Sequence, residues 1–552
     1  MANPIIQREL IGTLRSTRTV IALGLLSLIF TLLVAIRYPT EPRMALSGAR
    51  SQEVFKLFIF GLLGALLLLL PVFPATSLVK ERNRGTLGLL LNTLLGPWRI
   101  FLGKLTASFS LAVLMLFVSL PAATACFALG GVDPTTGLGG CYLVLLLTAL
   151  ELCAIALLMS SSATSSDAAI RTTYGIVLSL SLITLLPYYL FVGNGGLIET
   201  ASDWLRCLSP VSAITALLGG ADAASHGISS TSNVPLRFAM LSIAITIICS
   251  LWTTSRLNFT LFDRSRSPGT IVDDQSAKIK FFRRLMFIVD PGRRSRAMSS
   301  FVNPVMVKEF RCRKFGRLHW LIRLVSVCAI LSVGLAFVTA TRTVAWDVAT
   351  IGGIMVILQV TLIVLLTPSL TAGLICTERE SGGWVLLQMT PMSIPSILWG
   401  KLLSVFLTLG LLLCATLPGY IVMVWIDPGQ RPQIERVVIC LLVIAVFATL
   451  SSAAIGSLFR YTATATAAAY SFLIAVCTLP LLVWMGRGAP FGQDTVENAL
   501  MINPIAAALS VIRFPGFEEY NLIPGHWILV GIVSVISILV LFFQTLRLSR
   551  PQ

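Results

Sequence analysis

Charge is scarce in this sequence: 12% of its residues are Asp, Glu, Lys or Arg, and histidine occurs three times in 552 residues. A soluble globular chain carries roughly a quarter charged residues, so this one lacks the polar surface it would need to face water on all sides. Catalytic signatures are also missing. There is no H-E-x-x-H or G-x-S-x-G, and His226, His319 and His526 lie far apart, so no catalytic residue and no metal site is assigned. No C-x-x-C pair occurs, and most of the eleven cysteines fall in apolar runs, where a thiol is a small hydrophobe. Cys126 and Cys141, flanking one short loop, are the one conceivable pair. The phosphate-cradling pattern G-x-x-x-x-G-K-[ST] is absent too. The Gly-rich tetrads Gly137–Gly140 and Gly193–Gly196 lack the flanking strand and helix that such a loop needs.

What fills the chain is apolar: 56% hydrophobic residues and a mean hydropathy of +0.88. Crossing a hydrocarbon layer of about 30 Å takes roughly 20 apolar helical residues, and several uncharged runs reach that length. The expected fold is therefore an all-α polytopic membrane protein. Twelve transmembrane helices are expected, near 19–36, 55–79, 102–129, 139–160, 172–192 and 236–253, then 320–340, 348–374, 397–425, 436–458, 463–485 and 527–546. The opening residues have no short apolar core with a cleavage site, so the first span is expected to stay in the mature protein.

Net charge is +17, and the segment from Arg256 to Arg323 holds 16 Lys and Arg against 5 Asp and Glu. Basic residues collect in cytoplasmic loops, which places this linker, the N-terminus and the C-terminal tail on the cytoplasmic side of the cell (inner or plasma) membrane. Arg37, Arg43, Arg50 and Lys56 dissent, since this topology puts their loop outside. Anionic lipid headgroups are the expected partner of the linker; its sparse aromatics and its position against two spans argue against nucleic acid. The division expected is 1–255, a linker at 256–300, and 301–552.

The two halves repeat one another. Lys80–Lys104 reads KERNRGTLGLLLNTLLGPWRIFLGK, and an offset of 297 aligns Glu81 with Glu378, Arg82 with Arg379, Gly85 with Gly382, Thr93 with Thr390, and Gly103-Lys104 with Gly400-Lys401. NPIIQRE at residues 3–9 matches NPVMVKE at 303–309, and LSPVSAI at 208–214 resembles INPIAAA at 502–508. Six spans per half make the repeat parallel rather than inverted. Leu87, Leu90, Leu91 and Leu94 follow i, i+3, i+4, i+7 spacing, which predicts a short amphipathic helix between two polar elbows.

This stretch closely resembles the segment between the second and third spans in permease subunits of type-2 ABC exporters, through Glu81, Arg82, Gly85, Thr86, Leu87, Leu90, Thr93, Leu95, Gly103 and Lys104. The second copy matches at Glu378, Arg379, Glu380, Gly382, Leu387, Thr390 to Ser393, Gly400 and Lys401. Arg8 with Glu9, and Lys308 with Glu309, lie in what resembles the family's amphipathic connecting helix. Departures are Gly383-Trp384 where the family favours Thr-Leu, and Asn83 and Gly88 in place of two carboxylates. Each half resembles one whole permease, fused here in one chain.

The resemblance implies that Glu81, Arg82, Gly85, Thr86, Glu378, Arg379, Glu380 and Gly382 dock a separate cytoplasmic ABC ATPase. ATP and magnesium would belong to that partner, with no cofactor on this chain, which would be no enzyme. It leaves room for further permease or accessory subunits. Segments 193–235 and 486–526 resemble external re-entrant helices. Scarce intramembrane charge suggests export of a hydrophobic or amphipathic cargo, and Glu151, inside the fourth span, is the candidate for its path. A proton- or sodium-coupled secondary transporter is the alternative, distinguished by the coupling-ion site it would need.

Overall fold

A computed structural model of the chain describes residues 4–15, 23–24, 26–31, 49–91, 93, 95–128, 134–163, 165–181, 183–185, 187–188, 197–218, 233–259, 303–312, 326, 348–485 and 492–549. The described residues are helical with no strand, and ten of their helices are long and apolar enough to cross a membrane. The protein is an all-α polytopic membrane protein. The spans expected at 19–36 and 320–340 and the basic linker lie largely outside the described residues. So do His226 and His319.

The chain forms two compact units, Met1–Ser265 with Leu482–Val496, and Arg266–Leu481 with Glu497–Gln552. In the first unit the helix Gly140–Ser162 is the hub: it packs on Val72–Asn83, Pro97–Ala128, Ser166–Ser181 and Val234–Phe259. Its apolar stretch is 72% buried, against 28% for the last span, Val234–Leu257, whose outer face would meet lipid. Arg431–Leu458 holds the same place in the second unit, packing on Val348–Thr371, Gly373–Glu380, Ile394–Ile426 and Ile523–Ser549. Ala149, Ala154 and Ala156 line the first hub, and Ala448, Ser452 and Ala453 the second. Small side chains let helix backbones approach closely where lipid, not water, is the competing solvent. Gly456 is the extreme case, because a Cβ there would run into the carbonyl of Ala372.

The second span of each unit is interrupted beside a proline. Ala49–Leu69 gives way to Val72–Asn83 at Pro71, and Val348–Thr371, with Pro368 inside, gives way to Gly373–Glu380. Proline cannot donate an amide hydrogen, so the carbonyls four residues back, of Leu67 and Val364, lose that helical partner, and the next carbonyl along is bonded from outside the helix. Tyr174, from the fifth span, donates its hydroxyl to the Leu68 carbonyl; Tyr470 does the same to Leu365 at 2.6 Å. Both rings are buried. Pro71 and Pro368 stand 297 residues apart, as do Pro121 and Pro418 within the third spans.

Two short helices precede each last span: Leu197–Arg206 and Pro210–Leu217, then Gln493–Leu500 and Pro504–Val511. Ser209 caps Pro210–Leu217 by accepting from the Val211 amide and donates to the Ser181 carbonyl at the end of the fifth span. Asn503 caps Pro504–Val511 in the same way and donates to Cys477 at 2.8 Å. The free thiols of Cys126 and Cys141 are buried and form no disulfide.

Candidate functional site

The opening motif and its copy build one structure twice. Each second span ends on a glycine in the left-handed region, Gly85 at φ +73° and Gly382 at φ +75°, where a Cβ would be strained. A short helix follows, Thr86–Leu91 or Gly383–Gln388, and the third span then begins at Pro97 or Ile394. Thr93 and Thr390 end the short helices by donating to the carbonyls of Leu90 and Leu387. Leu87 and its counterpart Trp384 point inward and are buried. Leu89 and its counterpart Leu386 point outward, 68% and 69% exposed.

Behind each elbow lies an ion-pair cluster joining three elements. In the first unit Lys104, 2% exposed near the start of the third span, donates to Glu9 at 3.1 Å and lies 3.8 Å from Glu81. Arg8 also pairs with Glu81, and the Thr86 hydroxyl donates to the same residue. In the second unit Lys401, 1% exposed, donates to Glu309 at 2.6 Å and Glu378 at 3.1 Å, while Lys308 donates to Glu378 at 2.6 Å. Each third span exceeds 30 residues, about 50 Å of helix against a hydrocarbon layer of about 30 Å. Its first two turns, with the lysine, can therefore lie at the membrane interface.

The Gly-Lys pair that closes the motif now has a physical basis. Lysine clamps the carboxylate of the connecting helix, and glycine makes room for that helix: a Cβ at Gly400 would strike the side chain of Asn303, which caps Pro304–Cys312 and donates to Ser396. Sequence reasoning gave Lys104 and Lys401 no role, although their retention in both copies was the signal. Gly383, a departure from the family pattern, stands where the Glu378 carboxylate passes. Trp384, the other departure, donates its indole N–H to the Leu548 carbonyl, and Gln388 donates to the same atom at 3.1 Å. The second elbow is thereby tied to the end of its own last span.

The motif arginines face inward. Arg82 donates to the carbonyls of Ser161 and Ala163, and Arg379 to that of Phe459 at 3.3 Å, in each case at the turn from fourth to fifth span. Glu380 accepts from the Thr462 amide at the start of the fifth span. The elbow and the paired short helices that precede the last span therefore sit at opposite ends of the fifth span. The structure brings Arg8, Glu9, Glu81 and Thr86 together, and likewise Lys308, Glu309 and Glu378. Glu151 belongs to neither cluster: it is buried in the hub helix and faces Ser242 of the last span.

Two cavities accompany these elements. One, about 240 Å³, lies against the first ion-pair cluster. The other, about 810 Å³, is an apolar groove of the second unit between its third, fourth and sixth spans, with Leu402, Phe406, Leu441 and Phe542 on its walls. Glu151 lines neither.

Residues 3–265 match the model of a family described as ABC-2 family transporter protein. The first unit is an ABC-2 family permease. The family match does not favour a secondary transporter coupled to protons or sodium. Comparison with curated proteins finds no match. In this permease the elbow, the connecting helix and the second span form one block, and the second unit repeats that block at its ion-pairing positions. A permease of this family is a transport component that works with a partner ABC ATPase.

Proposed function

We propose that the chain is the transmembrane part of an ATP-driven exporter, with two permease units fused and one elbow in each offered to a cytoplasmic ABC ATPase. The observation that carries this reading is the matched pair of elbows, each with an exposed leucine on a buried ionic frame. Leu89 and Leu386 lie beside polar turns, and at the second elbow Val385 and Met389 are exposed with Leu386; apolar side chains grouped in this way mark an interaction surface. The motif carboxylates and arginines hold the elbow in place, and its outward face meets the partner. ATP and magnesium act on that partner. Closure of its subunits pushes on the elbows, and the clamped block transmits the push to the second and third spans.

N-terminus, C-terminus and central linker lie on the cytoplasmic side in this reading, and the paired short helices before each last span lie outside. The apolar groove of the second unit supports a hydrophobic or amphipathic cargo. Transport needs only that the cargo bind the inward and outward states with different affinity. The test is a Leu89→Asp/Leu386→Asp double variant reconstituted with its ATPase. Its thermal midpoint stays at the wild-type value while ATPase binding and cargo-stimulated hydrolysis are lost. Undiminished binding would sink the docking assignment.

A further inference from the structure

The two ionic clusters differ in charge, and the difference is lined up in a cavity. Around the first, Arg8, Lys80, Arg84 and Lys104 face Glu9 and Glu81, a surplus of two positive charges. Arg8 and Lys104 are the cations that pair with the two carboxylates. Lys80 and Arg84 are exposed and make no ion pair among the described residues. At an offset of 297 their places are taken by Thr377 and Ser381, so the second cluster, Lys308 and Lys401 with Glu309 and Glu378, is neutral. The repeat thus keeps the structural pairs in both units and adds two cations in one.

The rest of that cavity carries no charge: its lining mixes the hydroxyls of Thr76, Ser77 and Ser108 with apolar side chains. Phe73, Ala107 and Leu111 continue its wall down the second and third spans, and Phe73 is exposed. A charged mouth at the end of two spans, above an uncharged wall with Phe73 and Leu111 on it, fits a molecule with an anionic head and a hydrocarbon chain. We infer that the first unit binds the phosphate headgroup of an anionic phospholipid at Lys80 and Arg84, with an acyl chain along Phe73 and Leu111. The site lies in the leaflet where the N-terminal helix Pro4–Leu14 rests, and the twin cluster lacks its two cations. It rests on the membrane placement of the chain and not on ATPase docking. Lipid there would bridge the connecting helix and the second span, the elements that hold the elbow.

The experiment uses the full chain in nanodiscs of phosphatidylcholine containing a minor fraction of phosphatidylglycerol, with retained lipid counted by native mass spectrometry. A Lys80→Thr/Arg84→Ser variant gives the first site the residues of its twin at two exposed positions. Each interfacial cation contributes about one kcal/mol toward an anionic headgroup, so phosphatidylglycerol affinity falls about thirtyfold. The reverse variant, Thr377→Lys/Ser381→Arg, gains a second retained lipid. Inorganic phosphate added alone displaces little of the bound phosphatidylglycerol, because it lacks the chain. Equal retention by wild type and the Lys80→Thr/Arg84→Ser variant would overturn the inference. So would full displacement by inorganic phosphate, which would make the site one for the free anion.

Discussion

Lys401 sits 1% exposed between two carboxylates, and nothing but those carboxylates can justify an ammonium group there. Removing one member of a buried ionic group leaves the others uncompensated, at a cost of about 3 to 5 kcal/mol. Lys401→Met is therefore expected to lower the thermal midpoint of the detergent-purified protein sharply. Lys104→Met should cost less, since Glu9 is more exposed than Glu309 and Glu81 keeps both Arg8 and Thr86. Equal losses would mean that the two clusters are not ordered by burial. Tyr174 and Tyr470 allow a second comparison, because each stoppers a carbonyl beside a span proline. Tyr→Phe at either position should cost about 1 kcal/mol, the scale of one interhelical hydrogen bond in a membrane. Measured in the same unfolding assay, the two variants should agree with each other more closely than the two lysine variants do.

At the scale of elements, the turn that aims the elbow depends on Gly85 and Gly382. Both have positive φ, and no atom of a neighbour lies within 4 Å of a Cβ built there. Alanine would fit the space but not the backbone, at about 1 to 2 kcal/mol for the left-handed conformation. The expected outcome of Gly85→Ala/Gly382→Ala is a folded protein with a re-aimed elbow: normal yield, modestly lower midpoint, and weakened stimulation of the ATPase. Loss of yield in place of loss of coupling would show that these glycines serve folding alone. Much of this was legible in the sequence, because a glycine, a glutamate and a lysine kept in register 297 residues apart stand out against diverged apolar text. The helix at the elbow was legible from leucine spacing, although it is only six residues long in each copy. What could not be read was direction. Arg82 and Arg379 look outward-facing in a list of charges, and only packing shows that they close on carbonyls at the turn between fourth and fifth spans. Lys104 and Lys401 escaped because their partners are more than 90 residues away on the connecting helix.

For the whole molecule, the repeated block raises the question of how many ATPase subunits one chain engages. The two elbows share their exposed leucine, glycine turn and ionic frame, but they are not anchored alike. The second is pinned to the end of its last span through Trp384 and Gln388, while the first buries a leucine in that place. If each elbow receives one subunit, as the proposed function requires, Leu89→Asp alone and Leu386→Asp alone should each lower the ATPase-to-permease ratio from two to one in native mass spectrometry. The double variant should carry none. Two ATPase subunits that also contact each other bind with mutual support, so each single variant should weaken the remaining contact as well, by more than the lost half. The better anchored second elbow loses less order when unoccupied, so Leu89→Asp, which leaves that elbow in use, should retain the tighter of the two one-to-one complexes. A ratio of one in the wild type, abolished by one single variant and untouched by the other, would instead assign docking to a single unit and leave the second elbow a structural copy.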